Sequence, residues 1–404
     1  MHKASSKITF DRQAIFVLIT SLIRAELESG RKKLIDPAMF SAWNEVTALG
    51  ENGLEMDSID LLQVAAVVDE FFHLHETGVE EYLLRHRTLG SWCDIVLQAL
   101  EKGHKRFTFR TSGSQGTPKA VIHRASTILE EVSQLRSIFR GRLRIVSLVA
   151  PHHIYGFLFS VMLPKELGAS VVDAYRWPAT KIVKSILPGD LIIGYPLIWH
   201  ELQKRARGFP CNVYGVTSTA PCDPGIAHSL IDLGLSRMTE IYGSSETGGV
   251  GYRHDTGEPY RLFGYWHRVP ASKKLMGQFA LKRGSARQIV APDLLQWHGV
   301  RRFYPVRRGD GAVQVAGINV FPDDIARRLR MHPAVADCVV RKMRPAVGER
   351  LKAFIILKTG YNKLVSEDAI SQWIYEKFTT AERPTQLVFG DELPVTPMGK
   401  STDW

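Results

Sequence analysis

The stretch TSGSQGTPKAVIH, Thr111 to His123, decides how this chain is read. Two Thr, two Ser, two Gly and a Pro fall within its first eight residues, and Lys119 follows them. Ahead of it lies RFTFR, Arg106 to Arg110, whose apolar–polar alternation predicts a strand. A strand that opens into a loop of hydroxyls and glycines offers backbone N–H and O–H groups to phosphate oxygens. The candidate anion contacts are Thr111, Ser112, Gly113, Ser114, Gly116 and Thr117. The Walker pattern is not met, because Gly113 and Gly116 stand too close together and Pro118 precedes the lysine. Pro118 lacks an N–H and has a fixed φ, so it stiffens the loop exit. Lys119 then stands beside the anion as a point charge.

Outward from this loop the composition is that of a globular chain with a sizeable core. At 404 residues, 45% of them apolar and 23% charged, it is long enough for two to three domains of about 150 residues. The formal net charge of +11 suits an anionic partner. The basic residues are scattered, densest at Arg31–Lys33 and Arg301–Arg308, and no RRM-like or zinc-finger pattern occurs, which argues against nucleic acid. Four widely spaced cysteines (93, 211, 222, 338) form no ligand or disulfide pattern and fit a reducing cytoplasm. The apolar run AIFVLITSLI, 14–23, is too short to span a bilayer and reads as a packed helix.

Three regions separate by pattern, and the expected class is α/β. Residues 1–103 read as helical: Asp11 is a candidate cap for a helix whose apolar positions run to Leu27 before Gly30, Asp57 can cap one whose Leu61, Ala65, Val68 and Phe72 share a face, and a last helix begins near Thr88 and ends around Gly103. Residues 104–308 alternate helices with strand-like runs at 144–150, 169–175, 190–196 and 211–217, which predicts a mainly parallel sheet. Residues 309–404 read as a small α+β domain, with a helix over Asp323–Met331 and another from Ser366. Two glycines at 309 and 311 mark a hinge.

The loop resembles the phosphate-binding loop of the adenylate-forming superfamily of acyl-CoA synthetases, nonribosomal adenylation domains and luciferases. Further segments resemble that family in its order, across about residues 108 to 400. PHHIYGFLFSVMLP (151–164) is similar to the segment flanking the acyl pocket, which implies that His153, Tyr155 and Phe157 face substrate. GVTSTAPCDP (215–224) resembles the loop over adenine and acyl group, bringing Ser218 and Ala220 to the pocket. IYGSSETGG (241–249) resembles the Y-G-x-T-E element. There the resemblance implies Tyr242 on adenine beside Gly243, Ser245 at the phosphate and Glu246 on Mg²⁺. APDLLQW makes Asp293 the ribose-hydroxyl acceptor. RRGDGAVQVAGINVFPDDI gives Arg308 to the nucleotide and Asp310 as the pivot between domains. LPVTPMGK makes Lys400 the lysine that reaches the α-phosphate. The sequence departs from the family in APD, which lacks a Thr-Gly, in Gln278 for a glutamate, and in Gln314 for a lysine near the thiol donor.

The N-terminal region resembles an acyl carrier protein over about 50 residues, with Ser58 at the position of the serine that carries 4'-phosphopantetheine. Asp57-Ser58 is equally a plain helix cap. The resemblances imply a helical carrier-like domain (1–103), a shortened adenylation core (104–308) and a mobile lid (309–404). The implied reaction is ATP- and Mg²⁺-dependent adenylation of a small or aromatic acid, of hydroxybenzoate type, followed by transfer to a carrier-protein thiol. The arrangement is similar to aryl acid–carrier ligases of xanthomonadin or aryl-polyene pathways in secondary metabolism. Free CoA as acceptor is the alternative, and a nucleotide-binding scaffold without chemistry is the reading of another class.

Overall fold

The computed structural model describes residues 10–31, 34–103, 106–111, 119–269, 280–283, 289–291, 293–308, 311–316, 318–343, 348 and 350–392. The chain divides into two compact units. One comprises Met1–Thr111, Ala120–His267 and Arg283–Ala286; the other comprises Ser112–Lys119, Arg268–Lys282 and Arg287–Trp404. Among the described residues no helix is long and apolar enough to cross a membrane.

The first unit opens with helices α1 (Arg12–Arg31), α2 (Pro37–Ser41), α3 (Ser58–Phe72), α4 (Glu81–Arg85) and α5 (Leu89–Glu101). Their starts are fixed by local chemistry. Asp11 accepts from the Ala14 N–H at 2.7 Å, Asp57 accepts from Ile59 and Asp60 at 2.8 and 2.7 Å, and Thr88 closes a capping box with Ser91. Ile15, Leu18, Ile19, Leu22 and Ile23 of α1 are buried, so the 14–23 run is core.

Strands β1 (Arg106–Thr111) and β2 (Lys119–Arg124) pair with each other on either side of the opening loop. Helix α6 (Ala125–Ile138) follows. The main sheet of this unit uses β3 (Arg144–Ser147), β4 (Ser170–Asp173), β5 (Leu191–Gly194), β6 (Tyr214–Thr217), β7 (Arg237–Ser244), β8 (Gly248–Arg253) and β9 (Tyr260–Leu262). Their order is β9-β8-β7-β6-β5-β3-β4. β7, β6, β5, β3 and β4 run parallel, as the alternating pattern predicts. β8 and β9 add antiparallel strands that it does not predict.

The boundary expected at residue 103 does not separate two compact units. Phe71 of α3 packs against Phe107 and Phe109 of β1 and against Phe157, with ring centroids 5.4 to 6.2 Å apart. Helices and sheet therefore bury apolar surface in common, and that burial joins them.

The second unit contains a hairpin of Asp293–His298 with Arg302–Arg308, and a small α+β assembly. In the latter, Val335–Lys342 pairs antiparallel with Leu351–Leu357, which pairs parallel with Pro384–Phe389. Helices Pro322–Leu329 and Lys363–Lys377 belong to it. Ile325, Leu329, Cys338, Ile355, Ile370 and Phe378 form its core. The second helix begins at Lys363, earlier than the expected Ser366. The Ser366 N–H already donates to the Asn362 carbonyl at 2.9 Å, so residue 366 lies inside the first turn.

Candidate active site

In an open parallel sheet, ligands gather beyond the carboxyl ends of the strands. Here those ends deliver the segments singled out in the sequence. β3 leads through Pro151 to Tyr155, β6 leads into Ser218–Ala220, and β7 turns at Ser245-Glu246-Thr247 into β8. All of these belong to the first unit.

The turn after β7 is tightly built. Ser244 N–H donates to Thr247 Oγ1 at 3.1 Å, and Thr247 Oγ1 donates to the Gly248 carbonyl at 2.8 Å. A Cβ at Gly243 would lie 2.3 Å from the Gly248 oxygen, so only glycine permits the two limbs to approach this closely. Ser245 and Glu246 are half-buried at the tip. His123, at the end of the opening stretch, is buried and its Nε2 lies 2.6 Å from the Ser245 carbonyl. The carbonyl can only accept, so His123 presents an Nε2–H. Burial holds its pKa below the ordinary value. Tyr242 is half-buried, its ring 5.5 Å from that of Tyr260.

The β6 loop is anchored beneath this turn. Ser218 is buried and its hydroxyl donates to the Ile241 carbonyl at 2.8 Å. Glu240, buried in β7, accepts from the Cys222 N–H at 2.9 Å and pairs with Arg253 at 2.6 Å. Ala220 is half-buried between these points.

The helical stretch from Ile154 to Leu167 has a π-helical middle, Phe157–Met162. The residues expected to face substrate lie along and beside it. Tyr155 is buried and its hydroxyl donates to the Gly194 carbonyl at 3.0 Å. Phe157 is fully buried, 5.3 Å from the rings of both Phe107 and Phe109. Both pack the core, because their apolar area is best satisfied there. His153 keeps an exposed edge, yet its crowded surroundings strip hydration and push its pKa below the ordinary value. Its neighbour His152 is held by the Ser21 hydroxyl, 2.7 Å from Nδ1.

In the second unit Asp293 and Arg308 are register partners across the hairpin, so one strand pair carries both expected nucleotide residues. Lys119 is exposed at the start of β2, and Thr111 ends β1. Ser112, Gly113, Ser114, Gly116, Thr117, Asp310 and Lys400 lie outside the described residues. Ser58 is exposed as the first residue of α3. Sequence reasoning missed the contacts of His123 and Glu240. Each joins residues brought together only by the fold, although His123 lies within the quoted stretch.

Residues 98–268 match the family model of the AMP-binding enzyme, and 325–400 that of the AMP-binding enzyme C-terminal domain. The chain is 36% identical over 385 residues to a 4-coumarate–CoA ligase of Halorhodospira halophila, covering 95% of this chain and 97% of the relative. The chain belongs to the AMP-binding enzyme family. This AMP-binding enzyme is also 33% identical over 397 residues to a 4-coumarate–CoA ligase of Rhodobacter capsulatus, with 96% and 99% covered. In fold it is similar to the amide bond synthetase McbA of Marinactinospora thermotolerans, with a TM-score of 0.63 at 14% identity over 96% of this chain and 92% of that one. As an AMP-binding enzyme the chain has the α/β fold of adenylate-forming ligases, a core followed by a C-terminal domain, and it is a ligase joining an acid to a thiol through an adenylate.

Proposed function

We propose that this ligase activates an aryl acid of the 4-coumarate class with ATP and passes the acyl group to CoA. The observation that carries this reading is identity of 33–36% over nearly the whole chain to relatives named 4-coumarate–CoA ligase. It replaces a carrier-protein thiol by CoA as the leading acceptor, and a hydroxybenzoate by a hydroxycinnamate as the leading acid.

A substrate carboxylate oxygen attacks the α-phosphorus of ATP. The new O–P bond forms as the bond to the β-phosphate oxygen breaks, and pyrophosphate leaves. Negative charge grows on the α-phosphoryl oxygens, and cations fixed nearby lower that barrier. Lys400 and Lys119 take this role. The hydroxyls and amides of Thr111 to Thr117 hold the outer phosphates, Ser245 contacts phosphate, and Tyr242 packs on adenine. Asp293 accepts from the ribose hydroxyls and Arg308 contacts the nucleotide from the same strand pair. The donor set fits Mg²⁺: Glu246 brings a hard carboxylate oxygen to the tip of a braced turn. When bound there, the ion supplies neutralising charge at the phosphates. In the second half-reaction the thiol sulfur bonds to the acyl carbon, AMP leaves, and the thiol proton passes to solvent. A lid turning about Asp310 separates the two half-reactions.

The exposure of Ser58 at a helix start supports a second reading, in which a phosphopantetheine arm on this serine is the acceptor. Intact mass after incubation with a phosphopantetheinyl transferase tests it; an unchanged mass removes it. The main reading is tested by pyrophosphate release over a panel of 4-coumarate, 4-hydroxybenzoate and short fatty acids, with CoA or a holo-carrier protein as acceptor. It expects 4-coumarate with CoA to turn over fastest. ATP binding without pyrophosphate release for any acid points to a scaffold instead.

A further inference from the structure

The turn that carries Glu246 is gripped at both ends by side chains from outside its own hairpin. On the leading limb His123 holds the Ser245 carbonyl at 2.6 Å. On the trailing limb Glu131, fully inside the protein on α6, accepts from the Gly249 N–H at 2.8 Å. The Gly249 carbonyl in turn accepts from Tyr265 Oη at 2.8 Å and Trp266 Nε1 at 2.7 Å. Glu131 and Tyr265 thus hold the N–H and the carbonyl of one residue. Arg283 stacks 3.9 Å over the Tyr265 ring and pairs with Glu130 at 2.7 Å.

The fit around this carboxylate is close. A Cβ at Gly248 would lie 2.5 Å from Glu131 Oε2, and one at Gly249 2.5 Å from Oε1. Gly248 also has φ +66°, a conformation suited to glycine. The two glycines that follow Glu246-Thr247 thus make room for a carboxyl side chain from 118 residues away. Burying a carboxylate is costly unless its lone pairs are used, and both oxygens here are directed at this limb.

We propose that Glu131 is a positioning residue for the adenylation step: it fixes the trailing limb of the turn so that Glu246 is held ready for Mg²⁺·ATP. Glu131 does not touch substrate. It acts through Gly249 as an outer-shell group acts through a metal ligand, and such groups typically change metal affinity or activity by about 10- to 100-fold. This inference rests on the ligase reading above.

The test is ATP–pyrophosphate exchange as Mg²⁺ is titrated, on the full-length protein, for wild type, E131L, E131Q and Y265F. E131L removes the acceptor; E131Q keeps an acceptor of the same shape; Y265F removes one hydroxyl from the Gly249 carbonyl. In E131L the Mg²⁺ concentration at half-maximal rate rises and the maximal rate falls, together by about 10- to 100-fold, with the KM for the acid within about twofold. E131Q returns to within about threefold of wild type, and Y265F shifts the Mg²⁺ response by roughly threefold or more. A folded E131L with wild-type Mg²⁺ response and rate overturns the proposal, as does an E131Q no better than E131L. If E131L fails to fold, Y265F with an unshifted Mg²⁺ response overturns it. Absence of exchange in the wild type with every acid brings down the ligase reading and this inference together, whereas wild-type exchange with unresponsive variants brings down only the inference.

Discussion

Glu246 lies in the turn between β7 and β8, between backbone anchors at Ser245 and Gly249. If it holds Mg²⁺, E246Q retains the shape and loses the charge. The exchange rate then falls by about 10²- to 10³-fold, and excess Mg²⁺ recovers part of it. A rate within a factor of a few of wild type contradicts that role. Glu131 gives a pH prediction. Burial pushes its carboxyl up to about 7, against the opposing pull of Arg283, the Gly249 N–H and Tyr265. The folded state therefore holds a proton that the unfolded chain, near 4.5, gives up. This contribution to stability is fully present below the unfolded pKa and is lost as pH rises through about 7. The slope reaches at most about 1.4 kcal/mol per pH unit. E131Q has no proton to lose, so urea unfolding should show E131Q gaining stability relative to wild type between pH 5 and about 7. Parallel pH curves contradict it.

At the scale of single elements, cap chemistry is local and was legible. Asp57 satisfies two N–H groups at the start of α3, so D57A should cost about 0.5–2 kcal/mol in unfolding free energy. A smaller change means that tertiary packing alone sets that end. Periodicity likewise exposed α3 and the parallel strands. Three features escaped it. GGVGYR, which forms β8, is too rich in glycine to read as a strand and is held by its neighbours. A helix between the runs at 144–150 and 169–175 was expected, but its π-helical middle, Phe157–Met162, leaves no mark in a stretch that is apolar nearly all round. Tyr155 and Phe157 read as pocket residues through the family resemblance of 151–164, which says nothing of the rings they pack against. In the fold the rings of Phe107 and Phe109 pack on Phe157, and that of Phe159 on Tyr155. Within the site, segments carrying a motif could be found from the sequence. The contacts bracing them, His123 to Ser245 and Glu131 to Gly249, span 122 and 118 residues and have no sequence signature.

For the whole molecule, the sequence reading places the anion loop, Glu246 and Lys400 around one nucleotide. The first unit carries Glu246 on its sheet, and the second carries Asp293 and Arg308 on one hairpin. A net charge of +11 favours encounter with polyanionic ligands. Replacing Lys400 by alanine should lower adenylate formation by about 10²- to 10³-fold while leaving attack of the thiol on supplied acyl-adenylate within a few-fold of wild type. Equal loss in both half-reactions contradicts a role confined to the first. The most direct measurement is the product inventory after incubating the protein with ATP, Mg²⁺, 4-coumarate and CoA. The account predicts 4-coumaroyl-CoA, AMP and pyrophosphate in equal amounts. Formation of ADP and phosphate, or no thioester from any aryl acid while ATP is bound, would contradict it.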